Sequence, residues 1–184
     1  MIARWDRAVV EALQHLHWGP ANWFFELLSD WWVNSLVIVG IGLAADLLAR
    51  RRLPVGALLG SVCWLAADGL ALWLKTVFDR PRPPLVDPAV HPLVAVPHSG
   101  SMPSGHAATA CAAALAVGFV HPRLRWPLVG LATLISFSRV WLGVHYPTDV
   151  IAGAAIGAVI AVAARHLMIR GGGRVSRARA RSAA

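Results

Sequence analysis

The sequence predicts an all-α fold of the polytopic membrane class, a helical bundle with about five transmembrane helices and an N-terminal interfacial amphipathic helix. Two observations support this prediction. Of the 184 residues, 57% are hydrophobic and only 14% are charged, which is too apolar for a soluble domain that must cover its own surface with polar groups. The apolar residues also fall in stretches of roughly 17 to 25 residues, the length that a helix needs to cross a bilayer.

The N-terminal segment, residues 1–22, is predicted to form the interfacial helix. Val9, Val10, Leu13 and Leu16 recur at helical spacing between polar residues, a pattern typical of a helix that lies in the membrane surface. A buried amphipathic helix of a soluble domain is the alternative interpretation. The segment contains acidic residues and no small-residue cleavage site, so we expect it to belong to the mature protein and not to a secretory signal.

Five membrane spans are predicted to follow in order. They are Trp31–Ala49, Pro54–Leu74, Ser104–Val120, Pro127–Val144 and Asp149–Met168. These spans use nearly all of the chain, so residues 1–168 are expected to form a single domain. Gly153 and Gly157 give the fifth span a small-residue face that suits close helix packing. Residues 169–184 are basic and lack acidic side chains, which predicts a disordered tail held near anionic lipid.

The distribution of arginine and lysine predicts the orientation of the bundle. Eleven of the 17 basic residues follow the first span, join the third and fourth spans, or end the chain. The positive-inside rule makes that side cytoplasmic. We therefore expect a multi-pass protein of a bacterial-type cell (inner) membrane with a cytoplasmic C-terminus. The basic residues form no stripe on a folded face, which argues against a nucleic-acid partner; the sequence does not indicate an oligomeric state.

Three polar groups stand at the outer, extracytoplasmic ends of the second to fifth spans. Charged groups at membrane depth are costly, so this cluster indicates a functional site. The first group is KTVFDRPRP with Lys75 and Arg82, the second is PSGH from Pro103 to His106, and the third is SRVWLGVHYPTD with Ser138, Arg139, His145 and Asp149.

The cations of this cluster predict a phosphate-binding site. Lys75, Arg82 and Arg139 can neutralise the oxygens of a phosphoryl group, the arginines as planar forks and the lysine as a point charge. Ser104 and Gly105 stand at the start of the third span, where free backbone N–H groups and the helix dipole would face an anion. Gly105 would also let the backbone approach closely.

The two histidines of the cluster differ in their surroundings, which predicts different roles. His145 lies four residues before Asp149, so the carboxylate can accept a proton from one ring nitrogen and leave the other free to attack phosphorus. His106 has no carboxylate at that spacing and would protonate the leaving oxygen. We expect activity from mildly acidic to neutral pH, because His145 must be neutral while His106 is protonated.

Two further acidic positions flank the first group. Asp68 lies seven residues before Lys75 on the same helical face and is predicted either to support the site by pairing with Lys75 or Arg139, or to contact a neighbouring helix. Asp79 and Arg80 are expected to form a solvated ion pair.

The three groups together resemble the three signature motifs of the type 2 phosphatidic acid phosphatase family, membrane lipid phosphatases that share a core with vanadium haloperoxidases. The resemblance extends from Lys75 to Asp149. It implies that the matching residues bind phosphate (Lys75, Arg82, Ser104, Gly105 and Arg139). It further implies that His106 is the general acid, that His145 is the nucleophile and that Asp149 orients it. Pro103 and Ser138 are supporting positions of the same motifs. Many members of the family have six spans, whereas an interfacial helix replaces the first span here.

The resemblance implies an enzyme, a lipid phosphate or diphosphate hydrolase that works without a metal or other cofactor. The sequence agrees, since it shows no cluster of carboxylates suited to Mg²⁺ or Ca²⁺. The expected substrate is a lipid phosphate or diphosphate at the extracytoplasmic face of the membrane. The favoured candidate is an isoprenoid carrier such as undecaprenyl diphosphate. Phosphatidylglycerophosphate, phosphatidate and lipid A phosphate are alternatives, and a vanadate-dependent haloperoxidase is a remote one.

Overall fold

The computed structural model describes the backbone of residues 2–182 and the side chains of residues 4–30 and 36–170. This part of the chain is helical and contains no strand, which confirms the all-α prediction. The helices are α1 (Ile2–Gln14), α2 (Gly19–Ser29), α3 (Trp31–Leu48), α4 (Val55–Phe78), α5 (Pro83–Val86), α6 (Gly105–Val120), α7 (Arg125–Trp141) and α8 (Pro147–Ser182), and a 3₁₀ turn at Pro122–Leu124 joins α6 to α7.

Each of the five predicted spans coincides with a helix. Both ends agree within a few residues for the first four spans, whereas α8 begins near the predicted start of the fifth span and continues past its predicted end at Met168 to Ser182. Two helical segments, Val55–Val86 and Pro147–Arg170, are both long and apolar enough to cross a bilayer. Leu36–Leu48 and Gly105–Val120 are apolar but shorter. The helices are therefore where the sequence predicts them, while crossing of the membrane by all five stays a prediction.

The N-terminal segment differs from the single helix predicted for residues 1–22. The chain turns between α1 and α2, because the backbone of Trp18 is extended, with φ −141° and ψ 133°. The first turn of α2 contains a proline, whose fixed φ and missing N–H are tolerated at that position. Val10 of α1 is fully buried against Val90, Val140 and Tyr146. The position of α1 relative to a membrane surface stays a prediction.

A tryptophan at the end of α7 fixes α2. The indole N–H of Trp141 donates to Asn22 Oδ1 at 3.0 Å, and the backbone carbonyl of Trp141 lies 2.8 Å from His17 Nε2. Phe25 packs on the same indole ring, with ring centroids 5.0 Å apart. These contacts bring Ser29, the last residue of α2, over the end of α7.

Helix α6 is the centre of the bundle and packs against α3, α4, α7 and α8. Its alanines are almost completely buried, and their small side chains let neighbouring backbones come close. A Cβ atom on Gly153 would lie 2.3 Å from the carbonyl oxygen of Ser104, and one on Gly157 would lie 2.3 Å from that of Ala108. The small-residue face predicted for the fifth span is confirmed, and it holds the start of α8 against the start of α6.

A buried carboxylate joins three helices at the end of the bundle that carries the basic loops. Asp46 is 1% exposed and accepts a hydrogen bond from the backbone N–H of Ala57 at 3.0 Å. His121 Nε2 lies 2.9 Å from Asp46 Oδ1, and Arg51 Nε lies 3.6 Å from the same oxygen. Since the first N–H groups of a helix have no partner within it, Asp46 caps the start of α4.

The predicted tail at residues 169–184 overlaps the end of α8, which continues to Ser182. The side chains of residues 171–184 lie outside the described part of the chain. The disorder of the tail and its contact with lipid therefore stay predictions.

Candidate active site

A cavity of about 290 Å³ opens at the end of the bundle opposite Asp46, between the end of α4, the start of α6 and the end of α7. The loop before α6 closes one side of it. The residues that line the cavity are Trp64, Asp68, Leu72, Lys75, Arg82, Pro97, Ser99, Gly105, His106, Thr109, Arg139 and His145. The structure thus brings residues of all three sequence motifs into one cavity.

Backbone carbonyls of the loop before α6 hold two of the cations. Lys75 Nζ donates to the carbonyl oxygen of Gly100 at 2.8 Å. Arg82 Nε donates to the carbonyl oxygen of Ser99 at 3.0 Å, and Arg82 Nη2 donates to that of Gly100 at 3.3 Å. Lys75 is 7% exposed and Arg82 is 2% exposed. Carbonyl dipoles orient these charges without neutralising them, so the charges remain available to an anion.

Arg139, in the last turn of α7, is the third buried cation. Its Nη1 donates to the hydroxyl of Ser29 and lies 3.4 Å from the carbonyl oxygen of the same residue. Its Nε and the hydroxyl of Ser104 are buried without a hydrogen-bond partner among the described residues. Buried donors are rarely left unpaired, so these atoms are candidates to bind a ligand oxygen. Arg139 lines the cavity, whereas Ser104 is fully buried and is not among the lining residues.

The ion pairs of the described side chains include neither Lys75 nor Arg82 nor Arg139. The pairing of Asp68 with Lys75 or Arg139 that the sequence suggested is therefore absent at ion-pair distance in this part of the chain. Asp68 instead lines the cavity wall together with Trp64 and Leu72 of the same helix.

The start of α6 differs from the prediction at one atom. The backbone N–H of Ser104 is not free, because it donates to the carbonyl oxygen of Asp149 at 2.9 Å. Gly105 and His106 occupy the first two positions of the helix, where N–H groups have no acceptor within it. A Cβ atom on Gly105 would meet no protein atom within 4 Å, so the backbone of this residue is open to the cavity.

The two supporting positions of the motifs are structural. Pro103 is fully buried and follows a cis peptide bond. Ser138 does not line the cavity, and its hydroxyl donates to the carbonyl oxygen of Ile135 in its own helix at 2.7 Å. Neither side chain provides a donor to the cavity.

His145 lies in the loop between α7 and α8 with its two ring nitrogens in different surroundings. Nε2 lies 3.2 Å from Arg82 Nη1, and Nδ1 lies 3.4 Å from Asp149 Oδ2. A guanidinium group can only donate, so Nε2 must present its lone pair and the proton must be on Nδ1. Burial lowers the pKa of His145 to about 3; the nearby Asp149 carboxylate opposes this shift, while the charges of Arg139 and Arg82 add to it. The ring is therefore neutral at pH 7, the form in which Nε2 can act as a nucleophile.

His106, in the first turn of α6, lines the same cavity. Its Nε2 lies 2.9 Å from the carbonyl oxygen of Ser29, which can only accept, so this nitrogen carries a proton. Ser29 thus contacts both His106 and Arg139. Sequence reasoning missed Ser29, because it is 77 residues away from His106 along the chain and no motif contains it.

Arg80 and Asp6 are two further residues that sequence reasoning missed. Arg80 is not part of a solvated pair with Asp79: its Nη1 lies 2.7 Å from Asp149 Oδ1, and its Nη2 lies 2.7 Å from Asp6 Oδ2. Asp6 is fully buried on α1. One signal could have found it, because Asp6 lies four residues before Val10 on the apolar face of that helix, where a carboxylate needs a partner.

The described residues include no group of three or more histidine, cysteine, aspartate or glutamate side chains placed to hold a metal ion. The cavity presents imidazoles and cations, with the backbone N–H groups of the start of α6 beside them.

Comparison with known proteins gives matches to phosphatases. A family model described as the PAP2 superfamily matches residues 55–171. Undecaprenyl-diphosphatase BcrC from Bacillus subtilis (strain 168) is 30% identical over 126 residues, which cover 68% of this chain and 63% of that protein, slightly less than two thirds of its length. Decaprenylphosphoryl-5-phosphoribose phosphatase from Mycobacterium tuberculosis (strain ATCC 25618 / H37Rv) is 38% identical over 128 residues, covering 70% of this chain and 68% of that protein.

Solved structures share the fold. A transmembrane PAP2-type phosphatidylglycerolphosphate phosphatase from Bacillus subtilis has a TM-score of 0.76 at 23% identity, covering 92% of this chain and 87% of that one. LpxE from Aquifex aeolicus has a TM-score of 0.71 at 24% identity, covering 88% of this chain and 94% of that one. At these identities the likeness concerns the arrangement of helices.

Proposed function

This chain belongs to the PAP2 superfamily, and from that membership and the chemistry of its cavity we propose that it is an integral-membrane hydrolase that removes phosphate from a lipid phosphate or diphosphate. One observation carries the proposal. The unprotonated Nε2 of His145 lies 3.2 Å from Arg82, in a cavity that also contains Lys75 and Arg139. This arrangement suits attack on a phosphoryl group whose charge the cations stabilise.

Lys75, Arg82 and Arg139 bind the phosphoryl oxygens in the proposed complex. The backbone N–H of Gly105 adds a donor at the start of α6, and the dipole of that helix adds a favourable electrostatic interaction with the anion. The hydroxyl of Ser104, which has no partner among the described residues, supplies a further donor. Charge stabilisation of this kind is usually the largest single contribution to catalysis, because the donors are already oriented before the reaction begins.

The first proposed step forms a phosphohistidine. The lone pair on His145 Nε2 attacks phosphorus, and the bond between phosphorus and the lipid-linked oxygen breaks. The electron pair leaves with that oxygen, which takes a proton from His106. Asp149 holds the proton on Nδ1 and stabilises the positive charge that develops on the ring.

The second step is hydrolysis of this intermediate. A water molecule gives a proton to His106 while its oxygen attacks phosphorus. The phosphorus–nitrogen bond breaks and returns its electron pair to His145 Nε2, so inorganic phosphate leaves and both histidines regain their starting states. In the present structure His106 donates to the carbonyl of Ser29, so the substrate must displace this contact before the acid can act.

For the substrate we propose a polyprenyl carrier, first a diphosphate such as undecaprenyl diphosphate. Support comes from the similarity to a protein named undecaprenyl-diphosphatase and from the outward orientation that the basic loops favour. The leaving group would then be the lipid monophosphate. The cavity wall formed by Trp64 and Leu72 gives an apolar side along which a prenyl chain can lie.

A second candidate is a polyprenyl phosphate that carries a phosphorylated sugar. Two observations favour it. The relative named decaprenylphosphoryl-5-phosphoribose phosphatase is 38% identical over 128 residues. In addition, the Asp68 carboxylate lines the cavity and could accept hydrogen bonds from sugar hydroxyls, which a diphosphate group lacks.

The membrane topology belongs to the same proposal. Helices α3, α4, α6, α7 and α8 would span a bacterial cell membrane as one domain, with the cavity on the extracytoplasmic face. The basic loops and the C-terminal tail would then lie on the cytoplasmic side, near anionic lipid.

The proposal can be tested by phosphate release from purified lipids in detergent with a chelator present. The lipids are undecaprenyl diphosphate, decaprenylphosphoryl-5-phosphoribose, phosphatidylglycerophosphate, phosphatidate and lipid A. We expect the wild type to prefer a polyprenyl substrate. His145→Ala should lower kcat by at least about 10³-fold, and His106→Ala by about 10²- to 10⁴-fold.

The matched control is His98→Ala, which removes an exposed histidine of the loop before α6 and should keep wild-type turnover. When a reaction with a substrate labelled in its transferred phosphate is quenched with alkali, the wild-type protein should retain labelled phosphohistidine and His145→Ala should retain none. Equal turnover of the wild type and His145→Ala would overturn the proposal, and preference for a glycerol-based lipid would overturn only its substrate.

A further inference from the structure

Arg80 lies behind the candidate nucleophile and does not line the cavity. Its Nη1 donates to Asp149 Oδ1 and to the hydroxyl of Thr148, both at 2.7 Å, and its Nη2 donates to Asp6 Oδ2 at 2.7 Å. The guanidinium carbon also lies 4.0 Å from the ring centroid of Tyr146. This side chain therefore connects α1, the loop after α4 and the first turn of α8.

The contacts of Asp149 fix the plane of its carboxylate. Oδ1 accepts from Arg80, while Oδ2 accepts from the backbone N–H of Tyr146 at 2.9 Å and lies 3.4 Å from His145 Nδ1. A carboxylate held on one oxygen alone can rotate about its Cβ–Cγ bond. Because both oxygens are engaged here, Oδ2 is kept facing the imidazole.

Asp6 fixes Arg80 in turn. It is fully buried, and besides Arg80 it accepts from the backbone N–H of Thr148 at 3.1 Å and from the Thr148 hydroxyl at 2.5 Å. The charge of Arg80 is thus shared between two carboxylates. Shared in this way, it adds little to the repulsion among the cavity cations and leaves negative charge on Asp149 directed at His145.

We propose that Arg80 and Asp6 are positioning residues that act through Asp149 to orient His145 and keep its proton on Nδ1. The inference rests on the proposed function. In metal sites, residues that orient the groups directly at the reaction centre lower metal affinity or activity by about 10- to 100-fold when they are removed, and we take this range for Arg80. The two positioning residues should alter the reaction rate and leave phosphate binding intact, because Lys75, Arg82 and Arg139 do not depend on them.

The test compares Arg80→Gln, Arg80→Lys and Asp6→Asn with the wild type. Two quantities are measured, kcat for the best lipid substrate and the inhibition constant of inorganic phosphate. We expect Arg80→Gln to lower kcat by about 10- to 100-fold and Asp6→Asn by about fivefold, the effect of losing one hydrogen bond. The inhibition constant of phosphate should change by less than about twofold, and Arg80→Lys should recover part of the lost rate.

Matched controls are Arg7→Gln and Glu11→Gln, which remove exposed charges from α1 and should keep wild-type kcat. If Arg80→Gln fails to fold, Asp6→Asn decides the result. Wild-type kcat in the folded variants, or a phosphate inhibition constant that weakens as much as kcat falls, would overturn the inference. If His145→Ala loses activity while Arg80→Gln and Asp6→Asn keep the wild-type rate, this inference alone is overturned. If His145→Ala itself keeps the wild-type rate, the proposed function is overturned and the inference with it.

Discussion

The helical bundle has buried charged side chains at both ends, and the two ends differ in the partners that these side chains have. At the site end, Lys75, Arg82 and Arg139 are held by backbone carbonyls and a serine hydroxyl. At the opposite end, the Asp46 carboxylate is surrounded by the N–H of Ala57, the ring of His121 and the guanidinium of Arg51. Among the described side chains, the cations at one end have no ion-pair partner, whereas the carboxylate at the other end has several partners.

This difference in partners distinguishes a ligand-binding site from a contact that stabilises the fold. A buried charge without a counterion costs stability, and such an arrangement is retained where a ligand supplies the missing charge. A buried charge with all its partners in place contributes to the fold and has nothing left to bind. Substitutions at the two ends should therefore change activity and stability in opposite ways.

Of the substitutions that compare the two ends, Arg139→Met should give the largest effect. It removes one charge-stabilising donor from the site end, so kcat/KM should fall by about 10²- to 10³-fold. The melting temperature in detergent should stay equal to that of the wild type or rise, because a buried cation is replaced by an apolar side chain of similar length. A melting temperature several degrees lower would mean that Arg139 stabilises the fold as Asp46 does.

Asp46→Ala should show the reverse at the opposite end. The N–H of Ala57 and the ring of His121 lose their acceptor, which should lower the free energy of unfolding by about 1 to 3 kcal/mol. Turnover at a temperature where the variant is folded should stay within about twofold of the wild type. Denaturation followed by tryptophan fluorescence checks the first value, and a large loss of kcat with unchanged stability would remove the contrast between the two ends.

The pH dependence of stability should reveal the buried imidazole of the site end. The pKa of His145 is lowered from 6.5 to about 3, so below pH 6.5 the unfolded chain binds a proton that the folded chain does not. The free energy of unfolding must then fall as the pH falls through this window. From pH 6.5 to 5.5, the wild type should lose about 1 kcal/mol more than His145→Asn. Parallel stability curves for the two proteins would show that the ring is not buried in its neutral form.

Asp68→Asn should have the smallest effect. The carboxylate lines the cavity but makes no ion pair with the cations among the described side chains. Its removal should lower KM for a diphosphate by about twofold, since a weak repulsion of the anion is lost. For a sugar-bearing substrate KM should rise instead. If the variant has the same KM as the wild type for each of the two substrates, Asp68 is not part of the site.

The sequence was sufficient where the physics is local. Apolar stretches predicted both ends of four helices and the start of α8 to within a few residues, and the spacing of His145 and Asp149 predicted the contact between their side chains. The glycines of α8 predicted its close packing against α6. It was insufficient where contacts join distant parts of the chain, since Asp6 and Arg80 are 74 residues apart and no spacing rule relates them.

Backbone groups explain the remaining differences. The N–H of Ser104 was expected to be free but donates to the carbonyl oxygen of Asp149, a contact that depends on how α8 packs on α6. The turn that separates α1 from α2 follows from the extended backbone at Trp18. The Ser104 contact is encoded by no side-chain pattern and emerges only when the helices are assembled, whereas Gly19 and Pro20 at the start of α2 are a sequence signal for the turn that the prediction of one helix did not use.

The carbonyls of Ser99 and Gly100 have a consequence for mutational scanning. They hold Lys75 and Arg82 in place, yet every amino acid carries the same carbonyl, so exchanging the side chain of Ser99 deletes none of these acceptors and removes only the 3.4 Å contact between its hydroxyl and Arg82 Nη2. A scan of single substitutions would therefore record only a modest effect at this position. Deleting one residue between Pro97 and Ser101 would shift the peptide register and move both acceptors away from the cations, so the importance of this stretch should appear in its length and not in its composition.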